Sequence, residues 1–392
     1  MKINIRVASN IFLGVFLLTT FLMPNTLING VAKLLCIMVL FFEIYVCRYD
    51  IKIGFYTIWA CILSIYSFSS IFWAYNIFDS IMGWQALFKN LLLGMSLFAI
   101  IKSKNRLRNI MQIFVLAGVS LVFALLFING FDFISYTTRL GTNVEGYNAN
   151  DIALKLTLAV LFAYLLLKET RNKVYLISIL IMMPAIVFSG SRKGLFLLFT
   201  VLIFSSVYTS NNIKQLGIKI LRWFIVLVII FWGLFEIEPL YNIIGYRLEG
   251  LFNYFMGSEL YDASTRERME MIEIGRALMY EKFVFGYGIN NYTYLSGKGT
   301  YAHNNYFEIG TGMGIVGIIV WYIQYIGVFK NAFIEKKYKQ SDIVQNVLLG
   351  ILLAFIIMDY GLVSYLQEYF YVIVSMIFAY LEASSGKENN KV

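Results

Sequence analysis

Charged residues are scarce in this 392-residue sequence. They make up only 14% of it, whereas hydrophobic residues make up 59% and the mean hydropathy is +0.72. A soluble domain has about 25% charged residues, so this scarcity excludes an ordinary soluble fold. Because a spanning helix needs about 20 mostly apolar residues, we predict an all-α polytopic membrane protein, a single integral domain over 1–392. Its twelve predicted transmembrane helices cover 8–23, 27–47, 53–73, 81–101, 109–129, 150–167, 174–189, 194–209, 222–240, 307–329, 343–362 and 368–382.

Cysteine and histidine are also rare, with three and one in the chain. Cys36, Cys47 and Cys61 fall in or beside the second and third predicted helices, where a free thiol behaves as a small buried hydrophobe. This placement excludes a disulfide framework. His303 has no neighbouring cluster of cysteine, histidine or carboxylate with the spacing of zinc ligands, so we predict no metal site.

The net charge of +9 follows the predicted topology. Twenty of the 32 lysines and arginines fall in alternate connections between predicted helices, whereas the connections at 24–26, 74–80 and 363–367 contain none. By the positive-inside rule, both termini are predicted to be cytoplasmic and the intervening connections extracytoplasmic. The positive charge therefore reflects membrane orientation, and nucleic acid is not an expected partner.

The longest outward connection, 241–306, is predicted to be a folded extracytoplasmic lid, because it is long and has no spanning hydrophobic run. Ser264 and Glu267 match a capping box, which predicts a helix beginning at Ser264 and lying on the membrane or over the bundle. Arg266 and Arg268 would occupy the first turns, where the helix dipole is already positive. That local conflict is typical of an anion site, although two exposed arginines are also common as surface charge.

Two further polar motifs lie near the predicted outer face. His303 has the side chain whose pKa suits proton transfer near neutrality, but a lone interfacial histidine is more often a satisfied polar residue. The turn 189–194 contains Arg192 and Lys193. Its serines and glycines are expected to leave backbone donors open, and the planar guanidinium of Arg192 fits phosphate oxygens. The alternative for this turn is a basic side chain snorkelling at the interface.

A third polar segment precedes the sixth predicted helix. It contains Arg139, Asn148 and Asn150, whose side chains are suited to binding sugar hydroxyls. Asparagines before a helix are also ordinary caps. We rank this segment below the other two.

The order of these motifs resembles the O-antigen ligase and polymerase superfamily. The resemblance covers about 139–321, and its specificity lies in the order of short motifs relative to the predicted helices. The motifs are Arg-Leu-Gly-Thr at 139–142, Asn-Ala-Asn at 148–150, Ser-Gly-Ser-Arg-Lys-Gly at 189–194, Ser-Thr-Arg-Glu-Arg at 264–268, Phe-Gly-Tyr-Gly at 285–288, His-Asn-Asn-Tyr at 303–306, Glu-Ile-Gly at 308–310 and Gly-Ile-Val-Gly at 314–317.

This resemblance implies a GT-C-type, glycosyltransferase-like fold and transfer of a polyprenyl-pyrophosphate-linked glycan without metal or other cofactor. Arg192 and Arg268 are implied to bind the pyrophosphate, and His303 is implied to act as the base. The spacing to Gly286 favours Arg268 over Arg266, which stays an alternative. Weaker candidates for substrate binding are Arg139, Lys193, Asn148, Asn150 and Asn304.

We favour a polymerase of capsular or exopolysaccharide repeat units in the bacterial cytoplasmic membrane, because the lid is moderate in size and the composition resembles that of low-GC bacteria. Its expected partners are the bilayer, lipid-linked donor and acceptor glycans, a chain-length regulator and a repeat-unit flippase. A ligase acting on lipid A core, protein or wall polymer is the first alternative. A lipid-linked sugar transporter is the second, motivated by ionisable residues in or near predicted helices, namely Lys33, Glu43, Lys89, Lys155 and Asp359.

Overall fold

The computed structural model describes residues 2–49, 53–130, 140, 147–256, 263–338 and 342–385. Within these ranges the chain is predominantly helical and contains no β-strand. The helices are α1 (Lys2–Leu22), α2 (Leu27–Cys47), α3 (Phe55–Ser69), α4 (Ile77–Ile100), α5 (Lys104–Asn129), α6 (Ala149–Thr170), α7 (Lys173–Phe188), α8 (Arg192–Tyr208), α9 (Ile213–Glu236), α10 (Glu238–Leu240), α11 (Tyr246–Phe255), α12 (Ala263–Glu281), α13 (Tyr292–Ser296), α14 (Asn305–Tyr338), α15 (Ile343–Met358) and α16 (Glu368–Ser385).

The twelve predicted apolar runs coincide with α1–α9 and α14–α16. Within the described residues, seven helical segments are long and apolar enough to cross a membrane, namely those of α1, α2, α5, α6, α9 and α14, and that of α3 together with the 3-10 turn Ser70–Trp73 that continues it. Helices α7 and α15 are apolar but have only 16 residues each. The chain is therefore a multi-span helical membrane protein, and the total of twelve spans stays a prediction.

One predicted helix start is corrected by the structure. The run predicted at 222–240 is a helix that begins earlier, at Ile213, because the Asn212 side chain accepts a hydrogen bond from the Gln215 N–H at 2.8 Å and caps the first turn. The predicted helix at Ser264 is present as α12, which is described from Ala263 onwards. The side chain of Ser264 lies outside the described part of the chain, so its predicted capping bond is not tested.

The two extremes of burial locate the centre and the periphery of the bundle. In α6, 78% of the spanning window is buried, and this helix packs against α5, α7 and α8. In α9 the corresponding share is only 6%, and residues such as Phe224, Ile229 and Trp232 are exposed. Exposed apolar side chains on a helix of this hydropathy suit contact with lipid. Helix α9 is thus a peripheral helix that covers one side of α8.

Helix α14 is broken at Gly314, whose φ of 66° and ψ of −168° are not helical. A Cβ at this position would collide with the carbonyl of Val284, so only glycine fits. The break frees the N–H of Ile315, which donates to the Phe283 carbonyl at 2.8 Å. The backbone at Gly286 also packs closely against α14, because a Cβ on Gly286 would lie 2.6 Å from the Thr311 carbonyl oxygen. The two glycine motifs therefore hold the segment 283–286 against α14.

Candidate functional site

The turn between α7 and α8 is held by its own hydrogen bonds. The N–H groups of Ser189 and Gly190 donate to carbonyls of α7, and the Ser191 N–H donates to the Ser189 hydroxyl at 3.2 Å. The Ser191 hydroxyl donates to the Asn150 side chain at 3.0 Å. The expectation that this turn leaves backbone donors open for phosphate is therefore wrong at these three residues. The turn instead fixes Arg192 as the first residue of α8.

Four basic side chains meet in one cavity of about 550 Å³. Arg192 and Lys193 reach it from α8, Arg247 from α11 and Arg268 from α12, and His303 lies at the same cavity. Among the described residues that line the cavity there is no aspartate or glutamate. Burial, together with the charges of Arg268, Arg192 and Arg247, lowers the pKa of Lys193 to about 7, and the same positive potential attracts an anion.

Backbone carbonyls hold three of these cations in place. Arg192 Nη1 donates to the carbonyl of Arg247 at 2.6 Å, and Arg247 Nη1 donates to the carbonyl of Gly190, also at 2.6 Å. Lys193 Nζ donates to the carbonyl of Gly361. These hydrogen bonds join the first turns of α8 and α11 to each other, and they join α8 to the segment after α15. A preorganised cluster of this kind spends little free energy on ordering when an anion binds.

The structure distinguishes the two candidate arginines of α12. Arg268 lines the cavity, and its charge lies near His303 and Lys193. Arg266 is exposed and is not among the cavity residues. The reason is helical geometry, since residues two positions apart point to different sides of a helix. Of the two arginines of α12, only Arg268 is placed to contact an anion in this cavity.

His303 stands in a tight turn just before α14. Its φ of 53° lies in the left-handed region, which a non-glycine residue adopts only when its surroundings fix it. The preceding N–H, that of Ala302, donates to the buried Glu308 carboxylate at 2.7 Å. The ring of Tyr301 contacts the imidazole, with 4.4 Å between the centroids. These contacts explain how the turn presents His303 to the cavity.

A buried polar network attaches this turn to the end of α15. The Asn305 N–H donates to the carbonyl of Asp359 at 2.7 Å, and its side-chain amide donates to the Asp359 carboxylate at 3.1 Å. Tyr322 donates to the same carboxylate at 2.7 Å. The Asn304 side-chain amide donates to the carbonyl of Tyr360, which itself lines the cavity. The asparagines after His303 therefore position the turn, and Asn304 is fully buried away from the cavity.

The electrostatic surroundings keep the imidazole neutral. Burial, together with the nearby charges of Arg268 and Lys193, lowers the pKa of His303 from 6.5 to about 4. A neutral imidazole at pH 7 can accept a proton. Because two of the three causes are positive charges, an anion bound beside Arg268 and Lys193 would raise this pKa.

Most of the rest of the cavity lining is apolar. It extends from the cations along the facing sides of α8 and α9, so the cavity combines a basic end with an apolar wall. Its apolar wall includes Phe196, Phe199, Ile203, Leu227, Ile230, Phe231 and Leu234.

The remaining predicted site residues have different places. Asn150 lines the cavity, as does Lys193. Asn148 caps α6 by accepting the Asn150 N–H at 2.9 Å and is not a cavity residue. Arg139 lies outside the described residues. Over the described part of the chain, no group of three or more histidine, cysteine, aspartate or glutamate side chains is placed to hold a metal ion.

Sequence reasoning missed Arg247 and the contribution of Tyr360 and Gly361. Arg247 was one of several basic residues in the lid, with no motif around it to distinguish it. The segment after α15 carries no charge that would mark it as part of a site, except Asp359. Only the packing of distant segments shows that these residues share a cavity.

The fold and the cavity define a class, namely a multi-span helical membrane protein with a cavity lined by basic and apolar side chains. The model of a family described as O-antigen ligase matches residues 156–322. This segment contains Arg192, Arg268 and His303, and the match supports the resemblance to the O-antigen ligase and polymerase superfamily. The predicted resemblance is thus confirmed. No curated protein matches the chain.

Proposed function

We propose that this protein is a polysaccharide polymerase of the bacterial cytoplasmic membrane. It transfers a glycan from a polyprenyl-pyrophosphate carrier onto a hydroxyl of another lipid-linked repeat unit, at the extracytoplasmic face. The observation that carries this proposal is the cavity, in which four cations and His303 stand at one end of an apolar wall. A polyprenyl pyrophosphate has the matching anionic head and hydrocarbon chain.

In the proposed reaction the cations stabilise the leaving group. The bond between the anomeric carbon and the phosphate oxygen breaks, and its electron pair leaves with the polyprenyl pyrophosphate. Arg192 and Arg268 face the charge that develops on these oxygens, in a site where most of the other lining residues are apolar and strengthen the attraction. The step needs no metal or other cofactor in this proposal.

His303 acts as the general base. The acceptor hydroxyl attacks the anomeric carbon from the side opposite the leaving group, so its configuration inverts, and the hydroxyl proton passes to the imidazole. The lowered pKa of His303 keeps it unprotonated before donor binding, and the bound pyrophosphate raises its basicity by offsetting Arg268 and Lys193. Donor binding would therefore prepare the base for the next step.

The observation that motivated a transporter has another explanation in the structure. Lys33 pairs with Glu368, Glu43 with Arg106 at 2.8 Å, and Lys155 with Asp151 at 2.5 Å. Asp359 belongs to the network that positions the His303 turn. Four of the five ionisable residues thus have structural partners, which supports an enzyme over a transport path.

The proposal is tested with purified protein in liposomes that contain lipid-linked repeat units. A polymerase produces a ladder of lipid-linked glycans that grow by whole repeats. A ligase produces no ladder and forms product only when lipid A core, a protein or a wall polymer is added as acceptor. Movement of the lipid-linked unit across the bilayer without a new glycosidic bond would identify a transporter and overturn the proposal.

A further inference from the structure

Arg247 stands at the corner where the chain leaves α9 and enters the lid. The corner contains a π-helical turn, Tyr241–Gly245, of a kind often found at functional sites. A Cβ on Gly245 would lie 2.5 Å from the Leu234 carbonyl oxygen, so the chain returns very close to the end of α9. Ile243 and Ile244 are buried against Leu234. The direction of Arg247 is therefore fixed by packing beneath it.

The four cations of the cavity form two pairs. Arg268 and Lys193 are the two whose charges act on His303. Arg192 and Arg247 are joined to each other's segments by two hydrogen bonds of 2.6 Å. Beside this second pair lie Leu195, Ile230 and Leu248, which belong both to the cavity wall and to the apolar cluster around Leu234. Arg268 and Lys193 thus lie near His303, whereas Arg192 and Arg247 lie near the apolar wall.

We propose that Arg247 is a pyrophosphate-binding residue that holds the phosphoryl group nearest the lipid. With Arg192 it binds the phosphoryl group attached to the hydrocarbon chain, while Arg268 and Lys193 bind the phosphoryl group attached to the sugar. The single phosphoryl group of a monophosphate lipid is attached to the hydrocarbon chain and reaches only Arg192 and Arg247, whereas a diphosphate reaches both pairs. This inference rests on the proposed function, because it assigns a further residue to the same site.

The geometry also suits guanidinium chemistry. The planar group of Arg247 has five N–H donors in a fixed fork, so it can hold the Gly190 carbonyl and face a phosphoryl group at the same time. Lysine in its place would keep the charge but lose the fork. Glutamine would lose the charge and keep a donor for Gly190.

The test measures binding of undecaprenyl pyrophosphate and undecaprenyl phosphate to the purified full-length protein. We expect R247Q to weaken binding of both lipids by roughly tenfold to a hundredfold, the usual effect of losing a charge-assisted hydrogen bond, because both have a phosphoryl group attached to the hydrocarbon chain. R268Q should weaken diphosphate binding to a similar extent and monophosphate binding by less than about threefold. R247K should recover part of the affinity for both lipids. The matched control is R276Q, because Arg276 is exposed on α12 and pairs with Glu273. The R276Q protein should bind both lipids as wild type does.

Two outcomes would overturn the assignment of Arg247. Either R247Q binds both lipids as tightly as wild type does, or R247K binds them as weakly as R247Q does, as the loss of a merely structural clamp predicts. Should R247Q fail to fold, as judged from its thermal midpoint, R247K decides, because unchanged affinity for both lipids would show that the fork of Arg247 does not contact a phosphoryl group. A wild-type protein that binds neither lipid overturns the proposed function itself, which separates that failure from a wrong role for Arg247.

Discussion

The carboxylate of Glu308 accepts a hydrogen bond from the N–H of Ala302 at 2.7 Å, one residue before His303. Glu308 lies in the first turn of α14, and its side chain is 1% exposed. The bond reaches back across the tight turn in which His303 adopts a φ of 53°. Glu308 therefore positions the imidazole without itself lying among the cavity residues.

Loss of this acceptor should impair turnover more than donor binding. We expect Glu308→Ala to lower kcat by about tenfold or more, because a small displacement of a positioned base is costly, with KM for the donor within about threefold. Glu308→Gln keeps an oxygen acceptor for Ala302 and should retain most of the activity. Steady-state kinetics on lipid-linked substrate measures both. Equal losses in Ala and Gln variants would show that the charge, not the hydrogen bond, is what matters.

The single histidine of the chain makes its pKa directly measurable. In protein labelled with ¹³C,¹⁵N-histidine, NMR should show one titration, near pH 4 and well below the ordinary value of 6.5. Removing a cation removes a cause of the lowering, so Arg268→Gln should raise the pKa. Undecaprenyl pyrophosphate should raise it too, by offsetting the same charges. The acid limb of kcat should consequently lie at higher pH than that of kcat/KM. An unchanged pKa on ligand addition would contradict this coupling.

The apolar wall should bind the hydrocarbon chain of the donor. Ile203 lies eleven residues after Arg192 along α8, or about 16 Å at the helical rise of 1.5 Å per residue. Ile203→Trp should therefore raise KM by about tenfold for a long-chain donor, since it fills the wall at that distance. A donor with only two isoprenoid units should end before this point and keep its KM within about threefold.

The matched control for this substitution lies on the neighbouring helix. Ile229 of α9 is 60% exposed and is not a cavity residue, so Ile229→Trp adds the same bulk outside the cavity and should leave both values of KM unchanged. If Ile203→Trp raises KM equally for the short and the long donor, the apolar wall does not bind the hydrocarbon chain.

Much of the fold was predictable because hydropathy reports burial in lipid directly. The apolar runs of α1–α9 and α14–α16 were located from composition alone. The start of α9 was not located, because the first turns after Asn212 contain lysine and glutamine and precede the apolar run. The break of α14 at Gly314 was not predicted either, because it depends on contact with Val284, thirty residues earlier in the chain.

The site was predictable where a residue stands in a recognisable motif. Arg192, Arg268 and His303 were found in this way, and the structure brings them to one cavity. Arg247 was missed, because only the packing of its corner directs it inwards. Conversely, Asn304 was assigned to substrate, since a capping or bracing asparagine and a sugar-binding one look the same in sequence.

The glycine at the break in α14 should be essential for stability. Gly314→Ala forces a side chain into a backbone conformation that only glycine adopts readily and into the Val284 carbonyl. We expect a loss of about 2 kcal/mol or more in the free energy of unfolding, seen as a lower thermal midpoint in detergent. Gly30→Ala is the control, because a Cβ there meets no atom within 4 Å. A stable Gly314→Ala protein would contradict the described break.

The central claim is that the cations bind the donor while His303 carries out the proton transfer. It is tested most directly by measuring both quantities on His303→Ala in liposomes. We predict that undecaprenyl pyrophosphate binds within about threefold of wild type, whereas glycan transfer falls by roughly a hundredfold to ten-thousandfold, the usual contribution of a general base. Full transfer activity in His303→Ala protein would contradict the account.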